Sequence, residues 1–143
     1  MSDVLMVITN VPDAVTAERM AQHLVDSNAA ACVNQLAPCV STYRWQGKIE
    51  TASEVPLLIK TTVSAYARLE AAIHAAHPYE LPEIIAVPVS AGLPAYLAWV
   101  NQETKVQSIN HAMHASISPT SPPPEGESDD VSLRESYANH CKE

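Results

Sequence analysis

Basic residues are scarce in this chain: eight Lys and Arg stand against sixteen Asp and Glu, for a formal charge of −8 and a pI near 5.1. That balance excludes a general binder of phosphate backbones, which needs a basic face, and makes a cation the more natural electrostatic partner. Cysteine is also sparse. Cys32, Cys39 and Cys141 form an odd count without the regular spacing of a secreted disulfide framework, so a reduced, cytoplasmic setting is expected. No apolar run reaches membrane-spanning length, and Val4 to Ile8 is too short and lacks the basic flank of a signal peptide. The expectation is a soluble protein. Catalytic signatures are missing too: there is no P-loop, no G-x-S-x-G elbow and no H-E-x-x-H, and a His near two Glu is insufficient for acid–base catalysis, so the chain reads as a non-enzyme.

What is present is enough for one core, with 143 residues of which 47% are hydrophobic. Val4 to Ile8 has the unbroken apolar pattern of a central strand buried on both faces. Asp13 is placed to cap a helix whose stripe is Ala17, Met20, Ala21 and Leu24. A second strand starts at Ala31, is interrupted by Pro38, and resumes over Val40 to Trp45. Gln46-Gly47 signals a hairpin turn into Lys48 to Thr51, so two paired strands are expected to project as an arm. Val55 to Lys60 returns to the body, and Ser64 is the expected cap of a helix carrying Tyr66, Leu69, Ile73 and Ala76. His77-Pro78 stops that helix, Glu83 to Val89 is a β-prone strand, and Pro94 opens a short final helix through Tyr96, Leu97 and Trp99.

The order strand, helix, strand, strand, helix, strand predicts an α+β, ferredoxin-like (split βαβ) fold, an antiparallel sheet with two helices on one face. Its other face needs a cover, which suggests self-association. After about residue 103 the composition changes, so 1–103 reads as the folded domain and 104–143 as a disordered, acidic, Pro- and Ser-rich tail.

The chemistry concentrates in Ala76-His77-Pro78-Tyr79-Glu80-Leu81-Pro82-Glu83, where an imidazole, a phenol and two carboxylates sit on a segment stiffened by two prolines. His77 is the foremost candidate ligand for copper or zinc, with Glu80 and Glu83 as oxygen donors if the loop turns both inward. Cys39, after the break at Pro38, is the candidate soft-metal thiol, whereas Cys32 in an apolar strand reads as a small core hydrophobe. In the tail, His111 and His114 have helical i, i+3 spacing and Cys141 follows His140, yet all read as solvated groups. Tyr43, Trp45, Lys60 and Tyr79 compose a different candidate, aromatic groups with one ammonium that could hold an organic anion.

Several segments together resemble the CutA family of divalent-cation tolerance proteins: Thr9-x-x-Pro12-Asp13, Ala30-Ala31-Cys32-Val33-Asn34, Ser41-x-Tyr43-x-Trp45-x-Gly47-Lys48, Glu54-Val55, Leu58-x-Lys60-Thr61, His77-Pro78-Tyr79-Glu80-x-Pro82-Glu83-Ile84 and Tyr96-Leu97-x-Trp99. The resemblance implies a ferredoxin-like subunit in a homotrimer with a cleft at each subunit boundary, and a role in tolerance of copper and other divalent metals. It implies a divalent metal partner, Cu(II) first. In bacterial members a copper site is associated with a Cys at the end of the first strand and a His-His pair before Pro-Tyr; here those positions are Thr9 and Ala76-His77, so only His77 carries over. The ferredoxin-like trimer also resembles the PII signalling proteins, which makes a sensor of a small organic effector the alternative.

Overall fold

The computed structural model describes residues 2–106. Five strands and three helices follow in the order β1 (Val4–Val11), α1 (Ala14–Asp26), β2 (Cys32–Gln35), β3 (Cys39–Trp45), β4 (Lys48–Thr62), α2 (Tyr66–Ala76), β5 (Ile85–Pro88) and α3 (Pro94–Glu103). The sheet runs β2-β4-β1-β5 with every neighbouring pair antiparallel, and β3 pairs only with the far half of β4. This is the split βαβ arrangement expected from the order of elements.

Local chemistry sets the element boundaries. The Asp13 carboxylate accepts the Thr16 N–H at 2.7 Å, which satisfies one free donor of the first turn of α1 and holds the carboxyl below its usual pKa. Gln46 and Gly47 both take positive φ, 49° and 79°, the left-handed pair that a two-residue hairpin turn requires between β3 and β4. Pro94 occupies the first turn of α3, where its missing N–H costs nothing.

Two expectations at this level need correcting. β4 is one strand of 15 residues rather than two, because Pro56 stands opposite Asn10 without a donor while its carbonyl still accepts the Leu36 N–H at 2.9 Å. Ser64 does not cap α2; the hydroxyl of Thr62 accepts the Ala65 N–H at 3.3 Å, and Ser64 bonds to that same hydroxyl.

The core lies between the sheet and helices α1 and α2. Val7, Val11, Leu57 and Ile59 from the sheet meet Ala17, Met20 and Leu24 of α1 and Leu69 and Ile73 of α2, all buried. On the opposite face α3 covers only one end, over Val4 and Ala31 through Val100. Beyond it the register aligns Ile85, Ile8 and Leu58 across three strands, with Val87 and Met6 in the next row. Ile85 and Val87 remain 47% and 42% exposed. Arg68 ties the helix ends together, donating to the carbonyls of Ser27, Asn28 and Thr104 at 3.0 to 3.4 Å, where guanidinium charge also complements two helix C-termini. His111, His114 and Cys141 lie outside the described residues.

Candidate functional site

The segment after α2 wraps the end of β1 and is pinned there by His77 and Asn10. His77 Nε2 lies 2.7 Å from the Asn10 carbonyl and Nδ1 accepts the Tyr79 N–H at 3.2 Å, which defines a neutral ring with its proton on Nε2. The Asn10 side-chain amide in turn donates to Glu83 Oε2 at 2.7 Å. One asparagine therefore holds both ends of the His77–Glu83 loop. The His77 and Tyr79 rings pack at 4.8 Å between centroids.

Facing this loop is one side of the β3–β4 hairpin. Pairing from the turn sets Trp45 opposite Lys48, Tyr43 opposite Glu50, Ser41 opposite Ala52 and Cys39 opposite Glu54, so alternate residues share a face. Between them lies a cleft of about 840 Å³. Tyr43, Trp45, Glu50 and Glu54 line the hairpin wall, Tyr79, Glu80 and Glu83 the loop wall, with Asn10 at the end of β1. Among the described residues no Lys, Arg or His lines it. Burial, and then the negative charge of Glu54, push the Tyr79 phenol up to about 12, so its O–H is retained beside that carboxylate.

The residues expected from sequence are thus only partly brought together. Tyr43, Trp45, Tyr79, Glu80 and Glu83 meet in the cleft. Lys60 does not join them. Its ammonium donates to Asn34 Oδ1 and lies 3.9 Å from Cys32 Sγ on the open sheet face, because it stands opposite Cys32 in the register of β2 and β4. The expected ammonium for an organic anion is therefore replaced by four glutamates, and the PII-like alternative is not favoured. Cys32 itself is half-buried beside that ammonium, not a core hydrophobe. Cys39 is a half-buried free thiol 3.8 Å from Ser41 Oγ, near the cleft but not lining it.

The metal expectation for His77 also meets an obstacle. Both ring nitrogens are engaged in hydrogen bonds and the residue is 8% exposed, so ligation through Nδ1 must displace the Tyr79 N–H. Among the described residues no three His, Cys, Asp or Glu side chains converge to enclose an ion. The described residues of one chain, as arranged, do not fit a metal. Thr9, at the position where the resemblance implies a Cys, is fully buried with its hydroxyl unpaired among the described residues.

Sequence reasoning missed Asn10, Glu50 and Glu54. The signal existed for the two glutamates: counting back from the Gln46-Gly47 turn gives their partners and hence their face. Nothing in the sequence marked Asn10, whose role depends on a loop passing the end of its strand.

Residues 5–103 match the family model described as CutA1 divalent ion tolerance protein. The "Divalent-cation tolerance protein CutA" of Thermus thermophilus is 40% identical over 99 residues, 69% of this chain and 96% of that protein. "Protein CutA" of Mus musculus is 44% identical over 94 residues, and the match spans about half of its length, 53%. Among solved structures, CutA from Xylella fastidiosa superposes with a TM-score of 0.71 at 51% identity, covering 73% of this chain and 100% of that one. With the motifs, the split βαβ sheet and these matches in agreement, the chain belongs to the CutA1 family of divalent ion tolerance proteins.

Proposed function

We propose that this chain acts in divalent-cation tolerance as a non-catalytic homotrimer of the cytoplasm, and that it binds divalent metal ions, Cu(II) among them, at the mouths of its clefts. The observation that carries the reading is the cleft itself, walled by four carboxylates and, among the described residues, no basic side chain. Glu80 and Glu83 at the loop wall supply oxygen donors, and since the described residues of one chain do not complete a coordination shell, a neighbouring copy contributes the remaining ligands. His77 serves as the strut that fixes the loop carrying both glutamates on Asn10, whose side chain holds Glu83. Self-association is supported by the open sheet face, where Ile8, Leu58, Ile85 and Val87 form an apolar patch of the kind that a stable oligomer covers.

Titrating the purified protein with Cu(II) by calorimetry tests the reading. Glu80→Gln with Glu83→Gln is expected to weaken Cu(II) by about tenfold or more, on the order of 1.4 kcal/mol, without changing assembly size. Unaltered affinity and stoichiometry in the double variant would remove these carboxylates from the site. A loss confined to His77→Ala, with folding intact, would return the imidazole to the ligand set.

A further inference from the structure

The carboxylates of the cleft are spread out, and that distribution discriminates between kinds of cation. Glu50 and Glu54 are four residues apart on one strand face, about 13 Å at the usual rise of an extended chain. A metal ion needs its donors together at one point, which these two cannot provide. Ala52 and its partner Ser41 lie between them, and aromatic rings flank the Glu50 end: Tyr43 stands directly opposite Glu50, Trp45 follows it toward the hairpin tip, and Tyr79 faces them from the loop. Rings of this kind offer faces to a cationic or methylene-rich guest and no strong ligand to a metal. Glu54 is a second, independent observation. It is only 8% exposed, lines the cleft, and has the Tyr79 phenol as its polar neighbour, with no basic side chain paired to it among the described residues. A largely buried side chain whose carboxylate opens into a cleft without a basic partner favours a cationic one. Lys48, the basic residue on the same hairpin face, sits at the tip opposite Trp45 and does not line the cleft.

We propose that the cleft binds a small organic polycation, an alkyl di- or triamine, with one ammonium on Glu54, a second on Glu50, its methylene chain beside Tyr43 and Tyr79, and Trp45 closing the hairpin end of the cleft beyond Glu50. The size of the cleft suits a small molecule. An extended amine satisfies separated carboxylates in turn while its methylenes displace water from the rings, which neither a metal ion nor an organic anion does. Its anchor Glu54 is buried whereas Glu80 and Glu83 are exposed, and the site does not depend on the metal position proposed there.

The test is calorimetric titration of the full-length protein with spermidine in the presence of a chelator, followed also by Trp45 emission in a Trp99→Phe background. Saturable binding is expected, with putrescine weaker and a dicarboxylate such as glutarate inert. Glu54→Gln is expected to weaken spermidine by about tenfold or more, as loss of a desolvated charge-assisted bond implies, while the metal-site variant Glu80→Gln with Glu83→Gln still binds spermidine. Trp45→Leu, which removes a ring without touching a charge, is expected to weaken it by about threefold or more. Three results overturn the proposal: no saturable binding at millimolar spermidine, equal binding by wild type and both the Glu54→Gln and Trp45→Leu variants, or complete displacement by magnesium at equal charge, which identifies diffuse attraction to an acidic surface. Failure of copper binding with spermidine binding retained would overturn the metal reading and leave this one standing.

Discussion

The two faces of the sheet differ in what covers them, and neighbouring residues show it. Leu57 points into the helix layer and is fully buried, while Leu58 points to the other face and is only half-buried. One face is finished within a single chain; the other is finished only at the end where Val100 of α3 rests on Val4 and Ala31. Stability within a chain and the proposed association between chains therefore fall on alternate positions of the same strand, as period-two side-chain geometry allows.

Substitutions that act on one face and spare the other separate these roles. The largest effect is expected from Leu57→Ala, which opens a cavity against Leu69 and Ile73 and should cost about 3 to 5 kcal/mol in chemical denaturation. His77→Ala removes a buried ring and both of its hydrogen bonds, and a loss of about 2 to 3 kcal/mol is expected. If that variant denatures like wild type, the loop is not held by this residue. Thr9→Val should act in the opposite direction, raising stability by about 1 kcal/mol, because an isosteric methyl replaces a buried hydroxyl without a partner. A drop in stability would show that Thr9 Oγ1 is satisfied in solution.

The smallest effect concerns pH and belongs to the cleft. The folded protein keeps the Tyr79 proton up to about 12, whereas the unfolded chain releases it near the usual 10.0. Between those values the folded state binds more protons, so the contribution is complete below 10.0 and is lost as pH rises toward 12. Tyr79→Phe should flatten this alkaline decline without abolishing it, since burial beside Cys32 raises Tyr96 and a hydrogen bond to Glu70 raises Tyr66. Denaturation midpoints for both proteins at pH 9 and pH 11 decide it; parallel declines would contradict the assignment.

Much of this architecture was legible in the residues. Asp13, Gln46-Gly47 and Pro94 act through local backbone chemistry, and each does in the fold what its type dictates. Pro56 misled because a proline deprives a strand of one donor only, and its carbonyl kept the β4 ladder continuous. Lys60 misled because an aromatic-and-ammonium grouping was assembled by residue type, while the register of β2 and β4 turned that ammonium to Cys32 and Asn34. His77 looked like a ligand because imidazole is one, yet its surroundings use both nitrogens to hold a loop. Such long-range pairings, including Asn10 with Glu83, arise only once the chain has folded.

The most direct measurement is the mass of the purified protein by light scattering, with Leu58→Asp beside wild type. A homotrimer predicts three times the 15.4 kDa of one chain for wild type, falling toward a single chain when a charge is placed on the open face. A wild-type mass of 15.4 kDa, with Ile85 and Val87 left facing water, would contradict it.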